Sequence, residues 1–165
     1  MKFHPIKVGG RIYKTVFAVF VCFLIDTIRN AGTPFYAAIA AILCIQRSQD
    51  ESFQQAKNRE FATIIGGIWG MLYLLFERHI FHISIEILRY AVLSLLLIPI
   101  IQFSLWIQQE KGTFLMCVVF LCITVTHERD ISPIRFVIDR IVDTSIGITV
   151  ALVVNMLSCK TWLSK

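Results

Sequence analysis

The stretch RIVDTSIG, Arg140 to Gly147, lies inside an otherwise apolar run, PIRFVIDRIVDTSIGITVALVVNML, that extends from Pro133 to Leu157. A second stretch, REFATIIG from Arg59 to Gly66, has the same form, R-x-x-x-T-x-x-G, and begins 81 positions earlier. On a helix, the arginine, threonine and glycine of each motif share one face. Matched charges in two apolar segments predict a repeated unit that lies within a membrane.

The composition supports a membrane protein. Of the 165 residues, 56% are hydrophobic and 16% are charged, and the mean hydropathy is +0.71. A soluble domain of this length needs more polar surface to cover its core. The net charge of +5 does not point to a nucleic-acid partner, because the basic residues form short clusters between apolar runs, as they do around membrane spans. We expect one transmembrane domain over residues 1–165.

Six apolar segments are predicted to be helices. A bilayer core about 30 Å thick needs roughly 20 helical residues, so the shorter segments must extend into their polar flanks or tilt. Six full spans are expected, with a re-entrant second segment as the alternative. The predicted fold class is all-α and polytopic, with about six transmembrane helices. The segments are approximately Ile12–Ile28, Pro34–Ile45, Phe61–Phe76, Ile85–Ile107, Thr113–Thr126 and Pro133–Leu157.

Local signals define several helix starts. SQDE, Ser48 to Glu51, has the form of a capping box and predicts that the third helix begins near Ser48. Pro34 and Pro133 fit the first helical position, with Ser132 as a cap. No A-x-A-like cleavage site follows the first apolar segment, so we interpret it as a retained span rather than a signal peptide.

The two halves of the chain show a repeat. Gly32-Thr33 and Gly112-Thr113 are 80 positions apart, close to the offset of the two R-x-x-x-T-x-x-G motifs. The halves, about residues 11–78 and 84–158, would each hold three spans. Because each half has an odd number of spans, the second half must enter the membrane from the side opposite to the first. This predicts an inverted 3+3 repeat, a transporter plan with sites at the repeat interface.

The charged residues of the last segment are costly to place in the bilayer unless they are paired or solvated. Its 13 Leu, Ile, Val and Phe residues favour insertion by about 4 to 8 kcal/mol, whereas Asp139, Arg140 and Asp143, placed centrally and unpaired, would cost about 8 to 10 kcal/mol. Arg140 with Asp143, and Arg135 with Asp139, have the spacing of helical ion pairs. Two interpretations stay open: a structural salt bridge at a helix end, or an anion-attracting group in an aqueous pathway.

Other polar residues have plainer interpretations. Asp26 and Arg29 are predicted to form an interfacial pair, and Lys14 to be a cytoplasmic anchor. Gly66 and Gly70 form a G-x-x-x-G pattern of helix packing, and Asn155 is expected to hydrogen-bond across a helix interface. His79 and His82 have weak spacing for a metal site, and the five cysteines form no C-x-x-C pair. No enzyme motif appears, so we expect no catalytic residue, metal or cofactor.

Loop charges predict the orientation. With a cytoplasmic N-terminus, ten Lys and Arg residues fall on the inner side and six on the outer side. The positive-inside rule then places both termini in the cytoplasm of a multi-pass cell-membrane protein.

Four stretches resemble the bacterial aromatic acid exporter family, which is related to fusaric acid resistance proteins and, more distantly, to plant aluminium-activated malate transporters. They are GGRIYKT with Arg11, Lys14 and Thr15; PFYAAIAAILCIQ followed by Ser52; the third-span opening with Arg59, Thr63, Gly66 and Gly67; and DRIVDTSIGITVALVVN, Asp139 to Asn155. The resemblance implies a six-span membrane domain that exports organic or aromatic carboxylates as a homodimer. Family members often add a soluble cytoplasmic region, and this sequence reaches only Lys165. A minimal version, or a partner that supplies that region, is therefore expected.

The expected function is a transporter or channel for organic anions, and the alternative is a non-transporting membrane scaffold. The resemblance singles out Arg11, Lys14, Arg59, Thr63, Gly66, Arg140, Asp143, Thr144, Gly147 and Asn155. The candidate pathway residues are Arg59, Thr63, Arg140, Asp143, Thr144 and Lys14, and the candidate packing residues are Gly66, Gly67, Gly70, Gly147 and Asn155. The expected partners are the lipid bilayer, a second copy of the chain and an organic anion.

Overall fold

The computed structural model describes residues 10–29, 34–79, 85–126 and 133–163. These residues form six α-helices and, within those ranges, no strand, which confirms the all-α prediction. The helices are α1 Gly10–Arg29, α2 Pro34–Cys44, α3 Gln49–His79, α4 Glu86–Trp106, α5 Glu110–Thr126 and α6 Pro133–Leu163.

The helix starts follow the local signals. The backbone N–H of Glu51 donates to Ser48 Oγ at 3.2 Å, so Ser48 caps α3 as predicted. α2 and α6 begin at their prolines, where the missing N–H costs no helical hydrogen bond. The proposed cap Ser132 and the repeat dipeptide Gly32-Thr33 lie outside the described residues.

A short turn joins α4 to α5. Gln108 lies in the left-handed region at φ 57°, which costs a non-glycine residue roughly 1 to 2 kcal/mol. The backbone N–H of Gln109 donates to the Ser104 carbonyl at 3.0 Å, and the Ser104 hydroxyl donates to the Gln109 carbonyl at 3.0 Å. These reciprocal bonds satisfy backbone groups at the end of α4 and stabilise the strained turn.

The chain forms two compact units, and α3 and α6 contribute to both. The first unit contains Met1–Ala56 and Asp143–Lys165. Its core is built from small residues of α1, α2, α3 and the second part of α6: Ala18, Cys22, Ala37, Ala40, Ala41, Cys44, Ala56 and Ala151 are all buried. Small side chains let helix backbones approach closely. In lipid, where there is no strong hydrophobic driving force, helices associate through such close packing.

The second unit contains Lys57–Val142. Its core has larger side chains from α3, α4, α5 and the first part of α6, including Leu93, Ile100, Met116, Phe120 and Ile123. The rings of Tyr73 and Phe120 meet edge to face, with their centroids 6.2 Å apart. This core therefore contains bulkier side chains than the core of the first unit.

Many large apolar side chains are exposed. Phe17 and Phe20 on α1, Leu95 on α4 and Phe114 on α5 are all more than half exposed. So much exposed apolar surface would promote aggregation in water but suits a lipid environment. Within the described residues, α3 and α4 are long and apolar enough to cross a bilayer, and the apolar α2 is shorter.

Candidate functional site

The motif glycines mark close approaches between helices. In the second unit, a Cβ on Gly66 would lie 2.6 Å from the Met116 carbonyl oxygen and 3.0 Å from Val119 Cβ, both on α5. In the first unit, a Cβ on Gly147 would overlap the Ala37 carbonyl and lie 2.7 Å from Ala40 Cβ, both on α2. Each glycine therefore faces a carbonyl and the side chain three residues later on its partner helix. Only a residue without a Cβ fits either position.

The remaining motif residues are buried. Arg59 and Arg140 are 8% and 7% exposed, and Thr63 and Thr144 are both 2% exposed. In the second unit, Arg140 Nη1 donates to Cys122 Sγ at 3.6 Å. A guanidinium in an apolar helix is costly unless protein or water shelters it. The sheltered arginines at the matched motif positions are therefore the first candidates for attracting an anion.

Asp143 has a partner on another helix. In the first unit its Oδ1 accepts a hydrogen bond from Arg29 Nη1 at 2.7 Å, where Asp143 is 1% exposed and Arg29 is 28% exposed. The prediction that Arg29 pairs with Asp26 is wrong, because the guanidinium extends from the end of α1 to α6 instead. The predicted pair of Arg135 with Asp139 is present, but it is long at 4.0 Å and exposed.

Asn155 lies in a polar chain within the first unit. Lys14 Nζ donates to Asn155 Oδ1 at 3.3 Å, and Asn155 Nδ2 donates to Ser52 Oγ at 2.8 Å. Ser52 Oγ also accepts from the backbone N–H of Gln46 at 3.0 Å, and Arg11 Nη2 lies 3.5 Å from Gln46 Oε1. This chain links α1, α6 and the start of α3, and it gives Lys14 a more specific setting than a membrane anchor needs.

A buried ion pair in the second unit was missed by sequence reasoning. Arg89 Nε donates to Glu77 Oε1 at 2.7 Å, and Arg89 Nη2 donates to the Thr124 carbonyl at 2.7 Å. These contacts tie together the end of α3, the start of α4 and the end of α5. In the sequence, Arg89 is counted among the loop charges because it lies near the beginning of an apolar segment, yet it is only 3% exposed.

These helices expose apolar side chains, which suit lipid, and bury charged side chains within each unit. Residues 6–158 match the family described as aromatic acid exporter family member 1. The chain belongs to the aromatic acid exporter family. Membership of this exporter family makes the chain a membrane protein.

The curated relatives are UPF0421 proteins. Those of Bacillus thuringiensis (strain Al Hakam) and of a Bacillus cereus strain are each 32% identical over 151 residues, which cover 90% of this chain and 38% of the relative. This aromatic acid exporter family member thus spans about 38% of the length of the curated relatives it matches. No solved structure matches it.

The other two predicted packing glycines of this exporter family member also lie in tight contacts, and one of its two candidate histidines contacts a backbone carbonyl. A Cβ on Gly67 would lie 3.1 Å from Val137 Cγ1, and one on Gly70 would lie 3.0 Å from Ile123 Cβ, so both glycines face side chains rather than backbone. Of the histidines considered as metal ligands, His79 Nδ1 lies 3.0 Å from the Leu75 carbonyl, and His82 lies outside the described residues.

Proposed function

We propose that this protein is a cell-membrane transporter or channel that exports organic anions, aromatic carboxylates among them. The observation that carries the proposal is the burial of Arg59 and Arg140 at matched positions of two apolar helices. Membership of the aromatic acid exporter family supports it. A buried guanidinium presents two parallel N–H groups that match the geometry of a carboxylate.

The proposed architecture is six spans arranged as an inverted 3+3 repeat. Its support is the matched packing of the two motif glycines, each of which meets a carbonyl and the side chain three residues further along its partner helix. The partner positions Ala37 and Met116 are 79 apart, close to the offset of 81 between Gly66 and Gly147. In such repeats the substrate site lies at the repeat interface.

The orientation proposal, with both termini in the cytoplasm, becomes stronger once burial is considered. The positive-inside rule counts charges in loops. Leaving out the buried Arg59 on one side, and the buried Arg89 and Arg140 on the other, changes ten against six to nine against four. An inside-negative potential would then favour anion export by about 2.3 kcal/mol per charge per 100 mV.

The test is efflux of radiolabelled benzoate from proteoliposomes under an imposed inside-negative potential. We expect Arg59→Ala and Arg140→Ala each to reduce benzoate flux about tenfold or more, and the matching lysine variants to retain more of it because the positive charge remains. Arg135→Ala is the control, since Arg135 lies on the same helix as Arg140 but is exposed. Gel filtration and circular dichroism verify that each variant folds.

Unchanged flux in both alanine variants would remove the role assigned to the arginines. Wild-type flux no faster than that of protein-free liposomes would refute export and favour a membrane scaffold. The homodimer implied by the family resemblance belongs to the same proposal. Native mass spectrometry of the detergent-solubilised chain tests it, and a monomer under conditions that preserve flux would exclude it.

A further inference from the structure

Lys14 is a half-buried cation whose hydrogen-bond acceptor carries no charge. Among the residues that the structure describes, the acceptor for its ammonium is Asn155 Oδ1, and no carboxylate lies within ion-pairing distance. Arg11 lies one turn earlier on α1 and contacts another amide oxygen, that of Gln46. The two cations therefore share one side of α1. Their hydrogen-bond acceptors in the described residues are neutral amides, which do not neutralise the positive charge.

The orientation of the Asn155 amide follows from chemistry. An ammonium has three donors and no acceptor, so the amide atom facing Lys14 must be the oxygen. The amide nitrogen then faces Ser52 Oγ, as the distances show. Asn155 is 3% exposed and Ser52 is fully buried, so this orientation is fixed by packing. Both residues position Lys14 and neither is placed to touch a ligand.

Several hydrogen-bond donors remain at this position. Lys14 uses one of its three N–H groups on Asn155, and Arg11 uses one of its five on Gln46. Both side chains are at least partly exposed. Two cations with spare donors, spaced one helical turn apart, match an anionic oxygen group that can bridge them.

We propose that Lys14 and Arg11 form a carboxylate-binding subsite, with Asn155 and Ser52 as positioning residues that hold Lys14 without neutralising it. The inference rests on the proposed export function and adds to it a place on α1 where the exported anion is first bound. With the N-terminus in the cytoplasm, this place faces the compartment from which the anion leaves. A phospholipid phosphate has the same oxygen chemistry, so the experiment must distinguish the two ligands.

The first measurement is benzoate binding by isothermal titration calorimetry, on the full chain in nanodiscs of phosphatidylcholine alone. We expect Lys14→Met to raise the Kd about tenfold or more, and Lys14→Arg to bind within about twofold of wild type. Lys111→Met removes the same charge from an exposed position on α5 and serves as the control. Benzamide has the shape of benzoate without its charge, and wild type should bind it weakly.

Asn155→Asp gives a test in which the shape is preserved. The aspartate can accept hydrogen bonds from both Lys14 and the Ser52 hydroxyl. The same residues therefore stay connected, but Ser52 now donates to residue 155 instead of accepting from it. Its carboxylate then pairs with Lys14, and benzoate binding should fall as far as in Lys14→Met. The thermal midpoint should stay near that of wild type, which separates loss of the subsite from loss of folding.

A footprint on the wild-type chain needs no mutation. Acetylation of Lys14 by an N-hydroxysuccinimide ester, followed by mass spectrometry, should slow with benzoate and not with benzamide, whereas acetylation of Lys111 should not change. Protection by phosphatidylglycerol in the nanodisc, without protection by benzoate, would assign the cations to a lipid headgroup and overturn the proposal.

The outcomes separate this inference from the function on which it rests. Benzoate binding at wild-type strength in both Lys14→Met and Asn155→Asp, with flux still lost in Arg59→Ala and Arg140→Ala, overturns the subsite and leaves export standing. Absence of both benzoate flux and benzoate binding in wild type overturns export of this anion class and the subsite with it.

Discussion

Replacing single glycines by alanine should separate close backbone contacts from ordinary helix packing. The structure offers a graded series at Gly147, Gly66, Gly67 and Gly112. An alanine Cβ would overlap a carbonyl at Gly147, lie 2.6 Å from one at Gly66, meet a valine methyl at 3.1 Å at Gly67, and find nothing nearer than 3.5 Å at Gly112. The same chemical change thus meets four different environments.

The magnitudes follow from two opposing terms. Alanine is favoured over glycine within a helix by about 1 kcal/mol, and forcing a methyl into a filled contact costs about 1 to 3 kcal/mol. At Gly147 the obstacle is backbone that cannot rotate away, so the upper cost applies and Gly147→Ala should destabilise by about 2 kcal/mol. Gly112→Ala should stabilise by up to about 1 kcal/mol, because its Cβ meets only van der Waals contacts.

The assay is thermal unfolding in nanodiscs, followed by intrinsic fluorescence and by loss of the monodisperse gel-filtration peak. A change of about 1 kcal/mol moves Tm by roughly 2 to 4 °C at this chain length. We therefore expect Gly147→Ala to lower Tm by about 4 to 8 °C, Gly66→Ala to lower it by somewhat less, Gly67→Ala to leave it nearly unchanged, and Gly112→Ala to raise it. Equal shifts at Gly147 and Gly112 would refute the assignment of a backbone contact to Gly147.

The ion pairs Arg89–Glu77, Arg29–Asp143 and Arg135–Asp139 should rank by burial when the free energy of unfolding is measured by denaturant titration. Glu77→Gln leaves the Arg89 charge buried and should cost about 3 to 5 kcal/mol. The double variant Glu77→Leu with Arg89→Met removes both charges and should recover most of that loss. A double variant no more stable than Glu77→Gln would contradict this. Asp143→Asn should cost less, about 1 to 2 kcal/mol, since Arg29 is partly solvated. Asp139→Asn should change stability by under about 0.5 kcal/mol because its pair is exposed, and a larger loss there than at Asp143 would break the ranking.

Helix positions were predictable because their signals are local. The second apolar segment was predicted over Pro34–Ile45 and the helix covers Pro34–Cys44; the proline fixes the start, and the polar QRSQ that follows ends the apolar pattern. The last helix was predicted to end near Leu157, yet it reaches Leu163. SCKTW contains no glycine or proline, so nothing in it stops a helix, and loss of hydrophobicity was mistaken for loss of helix.

Contacts between helices could not be predicted in the same way. Periodicity identifies residues that share one helix face, which is why Arg135 and Asp139 were found. The partners of Asp143 and Arg89 are 114 and 12 positions away and lie on other helices. Such pairs depend on how helices pack against each other, and the sequence gives only a set of available charges. The same limit applies to Asn155: the sequence predicts that it forms a hydrogen bond but does not identify the residue that it bonds to.

The identity of residue 155 connects packing to the proposed function. A leucine there would leave Lys14 without an acceptor and Ser52 without its donor, although it would suit an apolar helix better. An aspartate would satisfy both groups and cancel the positive charge. Asparagine satisfies the hydrogen bonds and keeps the charge, because an amide oxygen accepts from an ammonium while the residue stays neutral. A contact that only joins helices needs no charge, and orientation by the positive-inside rule needs no buried amide partner for the lysine. The choice of an amide at this buried position, which holds the ammonium in place without neutralising it, therefore favours anion binding over simple anchoring.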